Sequence, residues 1–135
     1  ITLTMPIIRP IFRDIIVPFD ENGILEAVML YLAPRFMDGF WHSSYARIDI
    51  VTSDSDFIRK CKTVDDYNRF ANADILKPSV EIQSETTATV SFAAWGHYGL
   101  NHWKLKVIKD GESVRVIKDD DSIKDLLYYK PRFVV

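Results

Sequence analysis

The stretch that decides the fold runs from Thr86 to Lys118. It reads TTATVSFAAW over residues 86–95 and WKLKVIKDGESVRVI over residues 103–117. The side chains alternate through both halves, and turn residues interrupt the alternation. A period of two is typical of antiparallel strands, because successive side chains of a strand point to opposite faces of the sheet. The last third of the chain is therefore expected to form an antiparallel sheet.

Turn residues divide this sheet into strands. The strands are expected at Val80–Gln83, Thr86–Trp95, Trp103–Lys109 and Val114–Lys118. The four residues from Gly96 to Gly99 supply one connection or a bulged extension. Asp110 and Gly111 indicate a type I′ hairpin turn, since that turn needs left-handed backbone angles that Gly and Asp tolerate.

Helical patterns come before the sheet. One apolar face at helical spacing consists of Ile24, Leu25, Val28, Met29 and Leu32. An N-cap is expected at Asp20 or Asn22. Pro34 predicts a kink or a new helix, because proline is tolerated in the first turn of a helix and not in its interior. The apolar face then continues with Phe36, Met37, Phe40 and Trp41.

Shorter patterns complete the chain. Tyr45–Val51 alternates as a short strand would, and capped helical turns are expected after Ser53 and after Thr63. The residues Ser122–Asp125 form another capping-box pattern, which predicts a short helix through Tyr129. Residues 1–18 contain three prolines and are expected to form an extended arm that adds an edge strand. The whole chain, residues 1–135, is expected to form one domain.

Composition narrows the class of protein. The 135 residues are 47% hydrophobic and 27% charged, with a formal net charge of -2. This balance is that of a folded domain, and it offers no basic footprint for a nucleic acid. The single cysteine, Cys61, cannot form an internal disulfide, and no stretch reaches the roughly 18 apolar residues of a membrane span. We expect no cofactor, no metal, no nucleic-acid partner and no membrane span.

Helices followed by an antiparallel meander make an α+β layout. In this layout the chain resembles the nuclear-transport-factor-2-like, or cystatin-like, superfamily. Residues 103–117 look like the last two strands of that fold, and Val28–Phe36 looks like the end of its first helix. The resemblance implies N-terminal helices packed on a curved C-terminal sheet that bends into a cone. It is nearest to small bacterial proteins of unknown function, which are often exported.

Aromatic residues and histidines cluster around one connection of the predicted sheet. The predicted binding residues are Trp95, His97, Tyr98, His102 and Trp103, together with Trp41 at the end of the second helical segment. Their rings could stack on a ligand or partner, and neutral imidazole can act as a base near neutral pH. Two alternatives stay open, a metal held by the two histidines and a surface hairpin whose aromatic rings pack across strands.

Asp49, His42 and Tyr45 form the candidate catalytic group. An aspartate buried between Ile48 and Ile50 would have a raised pKa and could serve as an acid or a base. Strand alternation predicts instead that Asp49 points outward while the two isoleucines point inward.

Three other features have simpler interpretations. Cys61 follows Phe57 and Ile58 on an apolar side, which favours a small buried hydrophobe over a nucleophile. The run Asp119–Asp121 lacks the alternate spacing of a calcium loop. The aromatic and basic segment Tyr128–Phe133 could dock a partner or a second copy, or fold onto its own sheet.

These patterns favour a non-enzymatic binding module that contacts a protein or a small ligand through the cone mouth or a sheet face. The alternative is a cone-pocket isomerase, dehydratase or hydrolase that uses Asp49 or a histidine as its base. A third hypothesis is self-association as a homodimer. We slightly favour a periplasmic or lipid-tethered protein over a cytoplasmic one, because the chain starts at Ile1 and a signal peptide could precede it.

Overall fold

The computed structural model describes residues 15–33 and 48–129, with only the backbone of Asp54 and Asp56. The helices are α1 (Glu21–Leu32), α2 (Asp54–Ile58) and α3 (Val64–Phe70), with a 3₁₀ turn at Asp74–Leu76. The strands are β1 (Asp49–Ile50), β2 (Ser79–Ile82), β3 (Thr87–Gly96), β4 (Gly99–Asp110), β5 (Ser113–Ile117) and β6 (Ile123–Tyr128). This arrangement confirms the predicted α+β class.

The sheet is antiparallel, curved and open. The long strands β3 and β4 form its centre and pair over their whole length, from Thr87 opposite Ile108 to Gly96 opposite Gly99. Two short strands share each edge of this central pair. β1 and β2 both pair with β3, and β5 and β6 both pair with β4. The cone that the resemblance implies stays a prediction.

Helix α1 covers the face of the sheet that we call the inner face. Its apolar residues, including Ile24, Val28 and Leu32, pack against Phe92 and Leu105 of the two central strands. The carboxylate of Asp20 accepts a 2.8 Å hydrogen bond from the backbone N–H of Gly23 and so caps the helix. This confirms one of the two predicted caps, and the predicted apolar spacing explains why the helix lies on the sheet.

Helices α2 and α3 cover part of the opposite, outer face. Phe57 and Phe70 pack there with Trp95, Leu100 and Leu127. Thr63 caps α3 by accepting a 3.1 Å hydrogen bond from the backbone N–H of Asp66, as the capping box predicts. The two short helices belong to the chain between β1 and β2, so this segment leaves the sheet edge, crosses the outer face and returns.

The predicted helix at Ser122–Tyr129 is wrong, because this segment is strand β6. The Ser122 hydroxyl does not cap a helix but donates to the carboxylate of Asp119 at 3.2 Å, and it accepts from the backbone N–H of Asp119 at 2.9 Å. This closes a turn that directs the following residues along the free edge of β4. Strand pairing outweighs the local helical signal, which a capping box alone supplies weakly.

Two predicted turns also differ in detail. The loop after β4 consists of Gly111 and Glu112, and of these Gly111 has a positive φ of 65°. That matches a type II′ turn, which needs glycine at its first central position, rather than the predicted type I′. The β3–β4 connection is the two-residue loop His97–Tyr98, so β4 begins at Gly99, four residues before the predicted strand start.

Residue Ile15 joins the sheet through one antiparallel bridge to Val114, with a 2.7 Å hydrogen bond from the Val114 N–H to the Ile15 carbonyl oxygen. The earlier part of the predicted arm lies outside the described residues. The same holds for the second helical segment after Pro34 and for the tail after Tyr129. No helix among the described residues is long and apolar enough to cross a membrane.

Candidate functional site

The two predicted binding tryptophans of the sheet are core residues. Trp95 lies on the outer face, stacked between Phe57 and Tyr129 at centroid distances of 6.0 and 5.7 Å. Trp103 lies on the inner face, where it stacks on Phe92 at 5.7 Å. Each is 3% exposed. Both tryptophans were predicted to contact a ligand or partner, but both are core residues. They lie on opposite faces of the sheet.

Among the predicted binding residues that the structure describes, the exposed ones are His97 and Tyr98, in the β3–β4 loop. The ring of Tyr98 lies parallel to that of Tyr128, with 6.1 Å between centroids and 7° between planes. His97 contacts Tyr98 edge-on at 4.7 Å. Tyr98 and Tyr128 are 52% and 62% exposed, so these three residues form an aromatic surface that we call the hairpin patch. Tyr128 joins it because β6 is a strand, which the sequence did not predict.

His102 is apart from this patch, on the outer face of β4 opposite Ala93. Burial lowers the pKa of its imidazole, and the ammonium groups of Lys104 and Lys124 lower it further. His97 and His102 therefore do not form a pair. No group of three or more His, Cys, Asp or Glu side chains in the described part of the chain is placed to hold a metal.

Asp49 follows the alternation that the sequence predicts. It pairs with Trp95, whose side chain faces outward, and forms an ion pair with the ammonium of Lys60. Ile48 is buried and Ile50 partly buried, and both pack with the inner core. The other proposed catalytic residues, His42 and Tyr45, lie outside the described residues, as does Trp41.

Cys61 and the aspartate run have structural surroundings. The Cys61 thiol is partly buried just after α2 and donates to the carbonyl oxygen of Phe57 at 3.4 Å. Burial, with the nearby Asp66 carboxylate, raises the pKa of this thiol, which disfavours the reactive thiolate. The carboxylate of Asp119 accepts from the backbone N–H of Asp121 and from Ser122, and so closes the turn before β6.

The candidate site is an apolar cavity of about 360 Å³ between α1 and the sheet edge. Its described lining is Leu25, Val28, Met29, Ile50, Thr52, Pro78, Val90 and Phe92. The volume lies within the ~300–1,000 Å³ typical of ligand pockets. Thr52 supplies the single polar side chain among these residues, and none of them is an acid or a base.

The split edge of the sheet creates this cavity. Pairing between β1 and β3 ends at Ala94, and pairing between β2 and β3 resumes at Ser91. The chain leaves the edge after β1, at Thr52, and returns before β2, at Pro78.

Between these two paired stretches lie Phe92 and Ala93 of β3. The carbonyl oxygen of Ala93 still accepts a 2.8 Å hydrogen bond from the backbone N–H of Val51, and Phe92 is the inner residue of this interval. Sequence patterns predicted the apolar face of α1 and the strand β3, but the gap follows from the register of two separate short strands.

A second, polar depression adjoins the cavity. This groove has a volume of about 200 Å³, and its described lining is Val51, Thr52, Ser53, Asn72, Ala73, Leu76 and Lys77. Thr52 lines both spaces, and Lys77 of the groove precedes Pro78 of the cavity. Asn72 follows α3 with a φ of 60°, a left-handed conformation that asparagine tolerates better than most residues.

Comparison with protein families, with curated proteins and with solved structures finds no match to this chain. The resemblance to the nuclear-transport-factor-2-like superfamily thus stays a prediction.

Proposed function

We propose that this protein is a non-enzymatic binding module that holds a small apolar ligand in the cavity beneath α1. The observation that carries the proposal is the chemistry of the described lining, whose side chains are aliphatic or aromatic apart from that of Thr52. Burial of apolar surface drives binding in such a site.

Rigid walls support the proposal. Val90 and Phe92 are buried residues of the central strand β3, and Val28 belongs to the packed face of α1. Phe92 is further held by its stack on Trp103. A cavity whose walls are already packed avoids much of the cost of ordering side chains on binding.

The cone-pocket enzyme receives no support from the described residues. Asp49 faces the outer side of the sheet, while the cavity lies on the inner side. His97 is in the β3–β4 loop and His102 is on the outer face, so neither belongs to the described lining. An acid or base at the cavity would have been the observation that favoured this alternative.

The test is a series of straight-chain alcohols from hexanol to dodecanol, measured by isothermal titration calorimetry. Each buried methylene contributes about 0.8 kcal/mol, so the affinity should rise about fourfold per added carbon until the cavity is full. We expect the increase to stop once the alkyl chain extends from the cavity mouth into water. Absence of binding, or an affinity independent of chain length, would contradict the proposal.

A matched pair of variants locates the binding site. Met29 and Leu30 are neighbours on α1 with exposed fractions of 47% and 48%, and of the two Met29 lines the cavity. Met29→Trp should fill the cavity mouth and weaken alcohol binding at least tenfold. Leu30→Trp should leave the affinity unchanged. Equal effects of the two substitutions would place the alcohols elsewhere.

The hairpin patch supports a second candidate function, contact with a protein partner. Tyrosine is enriched among interface anchors, and two parallel exposed rings form a large surface with few torsions to immobilise. If this surface mediates homodimer formation, sedimentation of the wild type should show a concentration-dependent dimer that the double substitution Tyr98→Ser and Tyr128→Ser removes. A monomer at millimolar concentration would leave the homodimer without support.

A further inference from the structure

The apolar cavity and the polar groove adjoin one another at the split sheet edge. Thr52 lines both, and the consecutive residues Lys77 and Pro78 line one space each. Val51 and Leu76 of the groove pack in the outer core, whereas the cavity faces the inner core, so the two spaces meet across the sheet edge at Thr52. A ligand that spans this edge, with its apolar part in the cavity and its other end in the groove, is an amphiphile, whereas the cavity alone would accept any small apolar molecule.

Hydrogen-bonding groups and one positive charge line the groove, where the second end of such a ligand would lie. Thr52 and Ser53 carry hydroxyls, Asn72 carries an amide, and Lys77 carries an ammonium group. Among the groove residues that the structure describes, none is acidic. Lys77 is therefore the charged residue of this described lining, and its ammonium group complements a single negative charge.

Asp74 is the acidic group that the structure places against Lys77, at 3.3 Å. The side chains of this pair are 68% and 96% exposed, for Lys77 and Asp74 respectively. Water screens such an exposed ion pair, so Asp74 holds the lysine ammonium only weakly. The ammonium can thus turn from Asp74 to a ligand head group at little cost.

We infer that the ligand of this site is a straight-chain carboxylate, with its alkyl chain in the cavity and its carboxylate in the groove beside Lys77. This inference rests on the proposed function, since it needs the cavity to bind an apolar chain. It adds the chemical class of the ligand and the residue that selects it.

The experiment compares three probes of equal chain length, namely decanoate, decanol and decyltrimethylammonium. Each is titrated into the wild type below its micelle concentration, at low and at moderate salt. We expect decanoate to bind more tightly than decanol, and decyltrimethylammonium to bind most weakly. The advantage of decanoate over decanol should shrink as salt rises, because salt screens the exposed lysine.

Variants then assign the selectivity. Lys77→Ala should weaken decanoate about two- to fivefold, the range of an exposed charge pair, while decanol is unchanged. Lys77→Arg should retain most of the preference because it keeps the charge. Lys104→Ala is the matched control, since Lys104 is an exposed lysine on the outer face of the sheet and outside both spaces. It should change none of the three affinities.

The outcomes separate this inference from the proposed function. If decanol binds and Met29→Trp removes its binding, but decanoate has no advantage or keeps it in Lys77→Ala, the apolar site stands and the carboxylate assignment is wrong. A preference for the cationic probe overturns the assignment in the same way. If none of the probes binds, both proposals fall.

Discussion

The hydroxyl of Tyr129 donates a 2.7 Å hydrogen bond to the carboxylate of Asp66. Tyr129 directly follows β6 and Asp66 lies in the first turn of α3, so this bond joins the sheet to the outer helical layer. The same hydroxyl accepts from the backbone N–H of Lys62 at 3.2 Å. The ammonium of Lys62 lies 4.7 Å from the centre of the Tyr129 ring, and Trp95 stacks on that ring.

Tyr129→Phe should therefore destabilise the fold by about 1–2 kcal/mol, since a hydrogen bond to a charged acceptor is lost while the ring stays in place. Urea unfolding followed by tryptophan fluorescence measures the change. Tyr128→Phe is the matched control, because the Tyr128 side chain is exposed and its hydroxyl has no hydrogen bond within the described residues. A comparable loss in both variants would contradict this role of Asp66.

The free energy of unfolding should also fall at alkaline pH because of Tyr129. Burial and the hydrogen bond to Asp66 raise its pKa to about 12, against an ordinary value near 10. Between these values the unfolded chain has released the proton and the folded chain has kept it. Stability conferred by this group is therefore fully present below pH 10 and lost as the pH rises toward 12.

The measurement is the urea midpoint of the wild type and of Tyr129→Phe at several values between pH 8 and pH 11.5. The wild type should lose stability more steeply than the variant above pH 10. Both proteins contain Cys61, whose pKa is also raised and whose charge helps to raise the pKa of Tyr129, so the difference between the two profiles reports Tyr129 together with its interaction with Cys61. Parallel profiles would show that Tyr129 does not titrate as expected.

Phe57 is the central residue of the outer core. It is fully buried and contacts three other rings, stacking on Trp95 and Tyr67 and meeting Phe70 edge-on. Phe57→Ala should cost about 3–5 kcal/mol, because it leaves a cavity that rigid neighbours cannot fill. Ile58→Ala, at an exposed neighbouring position, should cost less than about 1 kcal/mol. Thermal unfolding of both variants tests this difference.

Gly99 and Gly111 have positive φ angles, but their surroundings differ. A Cβ on Gly99 would overlap the backbone carbonyl oxygen of Leu127, whereas one on Gly111 would meet no atom within 4 Å. Gly111→Ala should therefore cost about 1–2 kcal/mol, from backbone strain alone. Gly99→Ala should cost clearly more, because β6 would have to move away from β4. Equal unfolding midpoints for the two variants would contradict this explanation.

Local sequence signals determined several parts of this structure. The alternation through residues 86–117 predicted the central hairpins, because one side of a strand must be apolar where it meets a core. The helix caps at Asp20 and Thr63 depend on neighbours three residues away and were also predicted. Asp49 points outward for the same reason that its neighbouring isoleucines point inward.

The candidate site depended on longer-range relationships. The positions of Trp95 and Trp103 on opposite faces follow from the two-residue loop at His97 and Tyr98, which sets the register between β3 and β4. A shift of one residue would reverse the face of every side chain in β4, and local patterns do not reveal such a register. The hairpin patch likewise requires Tyr128 to lie in a strand.

By itself, the sequence determined the α+β class, the paired central strands and the helix caps, because each depends on residues close together in the chain. Tertiary structure decided that residues 123–128 pair with β4, since a free strand edge outweighs a weak helix start. It also decided where the sheet edge is open, and hence where the apolar cavity meets the polar groove. That gap exists because two short strands, some 30 residues apart in sequence, share one edge of β3 without meeting.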